Sequence, residues 1–218
     1  MGSESDNKGF EDKARDFLSD LASGKGFVTV YREIGHNVAG LKVGIERHTG
    51  LVYKNGDVTH AQKASDFYDR LVSHFEERGY EPYSYELVKP NFVAVGERNG
   101  IVQDYFCEPS LSELRSYHVM IKEIRKMERK LKRPLNAEET EIFRGRFVID
   151  ENSRLRCEQL LSQPHNQDIT LEQMTDVERE FTSDTEYLHL WVKSSNVIVL
   201  GQRRKEYLDR IGLAIIDY

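Results

Sequence analysis

The 218-residue sequence predicts an α+β protein built in two lobes, a strand-rich first half with one main helix and a reduced, mostly helical second half. Three observations predict it. Short alternating apolar segments cluster between Phe27 and Phe106. One long amphipathic pattern, Thr59–Arg78, interrupts them, with Ala64, Phe67, Tyr68, Leu71, Val72 and Phe75 on one stripe and Gly79 as its stop. Beyond Ser110 the period is helical until a closing hairpin, in which the apolar runs Val197–Leu200 and Leu213–Ile216 flank a charged connection from Gln202 to Arg210.

The elements follow in order. Residues 1–8 are polar and read as a disordered lead-in. Phe10, Ala14, Phe17, Leu18 and Leu21 recur at helical spacing before Ser23-Gly24-Lys25-Gly26. Phe27–Arg32 alternates as a strand, the segment Ile34–Ile45 carries Gly35 and Gly40 in a bend, and Leu51–Lys54 is a third strand. Tyr83–Leu87 and Phe92–Glu97, separated by Pro90, and then Gly100–Phe106 continue the strands. Cys107-Glu108-Pro109 is the expected linker, giving parts at residues 1–26, 27–107 and 108–218. Helices are expected over Ser110–Lys132, from the capping-box-like Asn136-Ala137-Glu138-Glu139 to about Phe143, over Ser153–Leu161 and over Thr170–Phe181.

The closing hairpin carries chemistry. Asn196 stands just before its first apolar run and Asp217 just after its second, so strand pairing brings an amide oxygen and a carboxylate together at the open end. Two such oxygens suit a hard divalent cation, as on a nucleotide triphosphate. In the first half, Gly35 and Gly40 lack the Cβ that would keep a backbone from phosphate, and Lys54 ends a strand with a point charge suited to phosphate oxygens.

These residues, in this order, resemble the protein-kinase family. Ile34–Gly40 resembles its glycine-rich loop, with Asn37 where the middle glycine usually sits, and Tyr53-Lys54 resembles the strand end bearing the nucleotide-binding lysine. Gly100–Phe106 followed by Ser110–Leu114 resembles the fifth strand, hinge and next helix, which implies that backbone around Asp104 and Phe106 meets an adenine edge. His189–Asn196 matches the catalytic loop His-Arg-Asp-x-Lys-x-x-Asn at His189, Lys193 and Asn196, and Ile215–Tyr218 resembles the strand delivering the metal-binding aspartate, here Asp217. The resemblance implies ATP and Mg²⁺ as cofactors: Lys54 on the α/β-phosphates, Lys193 on the γ-phosphate, Asn196 and Asp217 on the metal. It also implies an acid on the Thr59–Arg78 helix that pairs with Lys54, with Asp69 and Glu76 as the candidates.

Two departures bear on activity. Trp191 stands where the family has the aspartate that accepts the substrate's proton, and an indole offers only a donor. Asp217 is followed by a single residue, so no activation segment follows it in this sequence. The implied function is a phosphotransferase to a protein Ser/Thr hydroxyl; the alternative is a pseudokinase acting as a protein-binding module, and a third reading is an α+β adaptor with no nucleotide site.

Composition sets bounds. A net charge of −6 argues against general nucleic-acid binding, although the basic run 122–133 leaves it open. That run reads as a docking patch for an acidic partner, an RNA-facing stripe or a solvated face, and the interleaved Glu123 and Glu128 favour the last. Cys107 and Cys157 lie far apart, and the seven histidines make no HxxxH or HExxH spacing, so no zinc site is expected. Cysteine usage and the lack of an apolar span or Sec-type signal imply a cytoplasmic protein, or one in a host cytosol if it is a delivered effector.

Overall fold

Helix α1, Glu4–Ser23, opens the computed structural model, which describes residues 4–23, 43–46, 51–55, 66–71, 73–74, 84–95, 100–104, 106–188, 192–205 and 208–216. The expected lead-in is therefore helical from Glu4: nothing in the stretch breaks a helix, and its acids stand near the end where the helix dipole favours them. The chain is α+β. It divides into two compact units, the first comprising Met1–Ser73 and Lys89–Phe106, the second His74–Val88 and Cys107–Tyr218.

In the first unit, β1 (Val43–Glu46), β2 (Leu51–Asn55), β4 (Phe92–Val95) and β5 (Gly100–Asp104) form one antiparallel sheet in the order β1-β2-β5-β4. Phe10, Ala14 and Phe17, at i, i+4 and i+7 on α1, bury against Leu51 and Val102, with Val93 at the margin. The expected helix over Thr59–Arg78 is present where it is described: residues 66–71 (α2) and 73–74 are helical, with Phe67, Tyr68 and Leu71 buried. The Tyr68 ring stacks on Phe92 at 6.4 Å, and the Lys89 ammonium lies 5.3 Å from the Phe92 centroid. The strand expected at Phe27–Arg32 and the bend around Gly35 and Gly40 lie outside the described residues.

The second unit departs from the expected division at residue 107. Strand β3 (Tyr85–Leu87) leaves the first sheet and pairs parallel with β7 (Leu208–Ile215), Tyr85 opposite Ile211, in the three-stranded order β3-β7-β6. Local alternation marks a strand but not its partner, and this partner lies over a hundred residues on. Strand β6 (Val197–Lys205) is antiparallel to β7, and both outrun their apolar cores: the expected charged connection is largely strand, with Arg203 opposite Arg210 and Lys205 opposite Leu208. Ile216, expected inside the second strand, lies just past it.

Four helices complete the unit: α3 (Leu111–Leu131), α4 (Ala137–Arg144), α5 (Glu151–Ser162) and α6 (Leu171–Tyr187). Capping boxes start α3 (Ser110 with Glu113), α4 (Asn136 with Glu139) and α6 (Thr170 with Gln173). The period of Ser110–Lys132 predicts Leu111, Leu114, Tyr117, Ile121, Ile124 and Leu131 inward; Leu131 is instead 44% exposed, in a stretch, residues 129–134, that is exposed throughout, and Met120, outside that set, is fully buried. Among the described residues, no helix is long and apolar enough to cross a membrane.

The helix starts also set an acid limit. Burial, the largest influence on Glu113, raises its carboxyl, but bonds from the Ser153 hydroxyl and the Ser110 amide, together with the Arg156 guanidinium, outweigh it and hold the group below 4.5. The Ser153 amide and hydroxyl hold the Asp150 carboxyl below 3.8, and the Arg133 guanidinium holds Glu139 at about 2. Each pKa is depressed in the folded chain, so its contribution is complete above the ordinary value and is lost as pH falls through the folded one. Melting temperature should therefore be flat near neutrality and fall below about pH 4.5, a fall that Glu113→Gln makes shallower while lowering the plateau. Thermal melts between pH 7 and 3 check this; an unchanged acid slope in the variant would count against it.

Candidate nucleotide and metal site

The second unit carries the late half of the predicted site. A 3₁₀ turn, Ser194–Asn196, delivers the chain into β6, and the Asn196 N–H donates to the Lys193 carbonyl at 2.8 Å. Register puts Val197 opposite Ile215, and one step further out the Ile216 N–H donates to the Asn196 carbonyl at 3.0 Å. Asn196 is thus bonded across the open end to the residue that precedes Asp217. Asp217 itself, with His189 and Trp191, lies outside them.

The reason for this geometry is packing. Val197, Val199, Leu213 and Ile215 are fully buried, so the hairpin register cannot slip without turning apolar side chains outward. Asn196 is half-buried and Lys193 exposed. The Ser195 hydroxyl donates to Asn196 Oδ1 at 3.4 Å. The start of α3 is tied to the same strand, through a bridge between Ser110 and Ile198 and a bond from the Val199 N–H to the Pro109 carbonyl.

The first unit carries the early half. Lys54 occupies β2 opposite Ile101 and Val43, a strand position flanked on both sides. Asp104, at the end of β5, is engaged with its own loop: its carboxylate accepts the Asn91 N–H at 2.8 Å and its N–H donates to the Asn91 carbonyl at 3.1 Å. That reciprocal pair occupies the Asp104 N–H, one of the backbone groups around Asp104–Phe106 expected at an adenine edge. Phe106 is half-buried. Asp69 is exposed on α2 and forms an ion pair with Lys89 at 3.6 Å, a partner that the sequence reading did not foresee. Gly35, Asn37, Gly40 and the alternative acid Glu76 lie outside the described residues.

A buried polar cluster in the second unit was missed. The Tyr85 hydroxyl donates to Asp184 Oδ2 at 2.7 Å, and His74 Nε2 lies 3.5 Å from Oδ1, with all three residues under 9% exposed. Tyr187 stacks on the His74 ring at 5.1 Å, while the Ser84 N–H and hydroxyl both donate to Glu180. The cluster ties the last turns of α6 to β3, and β3 pairs with the strand that leads to Asp217. The signal was present: His74 extends the stripe Phe67–Leu71, and Asp184 extends Met174–Val177–Phe181, each a polar group at an apolar position.

Comparison with protein-family models, curated proteins and solved structures gives no match. Among the described residues, no group of three or more His, Cys, Asp or Glu side chains is arranged to hold a metal. A cation site here would rest on the hairpin pair.

Proposed function

We propose that the chain is a kinase-like ATP- and magnesium-binding protein, a phosphotransferase to a protein Ser/Thr hydroxyl. The observation that carries the reading is the backbone bond between Asn196 and Ile216, which brings the amide-bearing residue beside the chain leading into Asp217. Further support comes from the antiparallel sheet of the first unit, with Lys54 on an inner strand, and from the helical second unit entered at Cys107.

In this reading Asn196 and Asp217 hold the cation, which neutralises phosphate charge when bound. Lys54 fixes the α/β-phosphates and Lys193 stabilises charge on the γ-phosphate. Gly35 and Gly40 let backbone close over the nucleotide, and Asn37 takes the tip of that loop. Trp191 accepts no proton, so catalysis by this chain rests on positioning and charge stabilisation. A second reading has its own observation. The tryptophan at position 191, where the resemblance calls for a proton-accepting aspartate, favours a pseudokinase that binds nucleotide and recruits a partner protein.

The test is a thermal melt with ATP and Mg²⁺, followed by a phosphorylation assay. At a nucleotide concentration about a hundred times its Kd, the wild type should gain roughly 5–10 °C. Lys54→Ala and Asp217→Ala should lose most of that gain. Transfer abolished in both variants supports the enzyme; a shift without transfer supports the pseudokinase; no shift refutes both and leaves an adaptor. Trp191→Asp probes the missing acceptor, and gained transfer would show it was the one part lacking.

A further inference from the structure

The end of α3 and the two residues after it carry seven basic side chains within twelve residues: Lys122, Arg125, Lys126, Arg129, Lys130, Lys132 and Arg133, all exposed. At about 100° per residue the five on the helix, Lys122, Arg125, Lys126, Arg129 and Lys130, occupy one continuous arc of roughly 140°, and Lys132, the left-handed cap, and Arg133 follow just past its end. Met120 and Ile124, both buried, face the opposite way. The two glutamates that seemed to interleave the run fall on the borders of this arc rather than within it. Glu123 sits at one edge, where it accepts from the Lys126 ammonium at 3.2 Å; Glu128 sits at the other, where it accepts the Leu135 N–H at 3.2 Å. Arg133 is bound in a fork to Glu139. Among the described residues, Lys122, Arg125, Lys130, Lys132 and the charged end of Arg129 form no ion pair.

We infer that this face of α3 docks an acidic segment of a partner protein. The charge distribution decides between polyanions. Seven basic and two acidic side chains make residues 122–133 five positive, in a chain whose net charge is −6, so the rest of the molecule is eleven negative. A nucleic acid or an anionic bilayer extends beyond the patch and meets that negative remainder. A carboxylate segment matched to the face, about 17 Å long, does not. An acidic helix with carboxylates at i, i+3/i+4 and i+7 repeats the spacing of Lys122, Arg125 and Arg129. The inference does not rest on the nucleotide reading.

Fluorescence anisotropy of the full chain tests it, with a labelled Glu/Asp-rich peptide, its Gln/Asn counterpart, a single-stranded RNA, and vesicles containing phosphatidylserine. The acidic peptide should bind more tightly than the other three, and binding should weaken steeply with salt. Charge reversal at Lys122, Arg125, Arg129 and Lys130 to Glu should weaken it at least about tenfold, and neutralisation to Gln by less. These positions are exposed, and circular dichroism of the Gln variant guards against misfolding. Equal binding of the neutral peptide, tighter binding of RNA or vesicles, unchanged affinity in a folded variant, or self-association lost on charge reversal would each overturn the proposal.

Discussion

Gly201→Ala is expected to cost about 3–5 kcal/mol, enough to remove much of a typical domain's stability. Gly201 is buried in β6 at φ +90°, beside the bulge where pairing shifts between Val199 and Gly201. An L side chain there is strained by about 1–3 kcal/mol. Space is the second obstacle: an added Cβ would stand 2.5 Å from Asn166 Oδ1 and 2.6 Å from Nδ2. Asn166 is fully buried and cannot step aside without loss. Its Oδ1 accepts the Gln202 N–H at 2.7 Å, while Nδ2 donates to the Leu160 carbonyl and to Gln163 Oε1, both at 3.1 Å. Leaving those groups unmet adds about 1–3 kcal/mol.

Two variants separate the causes. In an Asn166→Ala background the clash is gone, so Gly201→Ala should cost only the backbone strain, and the pair should be clearly non-additive. Gly212→Ala is the control. Its Cβ would meet mainly the flexible end of Arg203, at 2.7 Å from Nε, and the cost should stay within about 1 kcal/mol. Urea unfolding of the wild type, the two single variants, their double and Gly212→Ala checks this. A Gly201→Ala midpoint close to wild type would refute the account.

Asp184→Ala should be the next largest loss, about 3–4 kcal/mol, because it removes the acceptor of a buried phenol and the carboxylate beside a buried imidazole. Tyr85 is 2% exposed, and its hydroxyl would lose the 2.7 Å acceptor on α6. Asp184→Asn keeps an oxygen for Tyr85 and should cost about half as much. Tyr85→Phe removes the donor and leaves the carboxylate its approach to His74, for about 1 kcal/mol. Denaturant midpoints should rank wild type, Tyr85→Phe, Asp184→Asn, Asp184→Ala in falling order. Asp184→Ala as stable as Tyr85→Phe would show that His74 and the α6 terminus do not depend on the carboxylate.

Local order was legible where one segment supplies its own evidence. The capping box at Asn136 appears with both bonds, since a cap and its reciprocal partner lie three residues apart. The α1 stripe, strands β2, β4 and β5, and the hairpin's open end at Asn196 read correctly for the same reason: period and turn are short-range. The missed features are long-range. Nothing near Tyr85 announces Ile211 or Asp184, nothing near Asp104 announces that Asn91 will take its amide, and Asp69 meets Lys89 from twenty residues away.

The same contrast governs the chain as a whole. Residue order by itself determined the α+β class, most helix starts and the pairing that brings Asn196 to the threshold of Asp217, because backbone period and apolar alternation are properties of neighbours. Only the tertiary structure decided that β3 joins the late hairpin, that Asn166 fills the space a Cβ at Gly201 would need, and that Asp184 on α6 meets the Tyr85 hydroxyl. Burial forces those outcomes: a polar atom removed from water must find its partner wherever the chain returns, at a sequence distance no local pattern encodes.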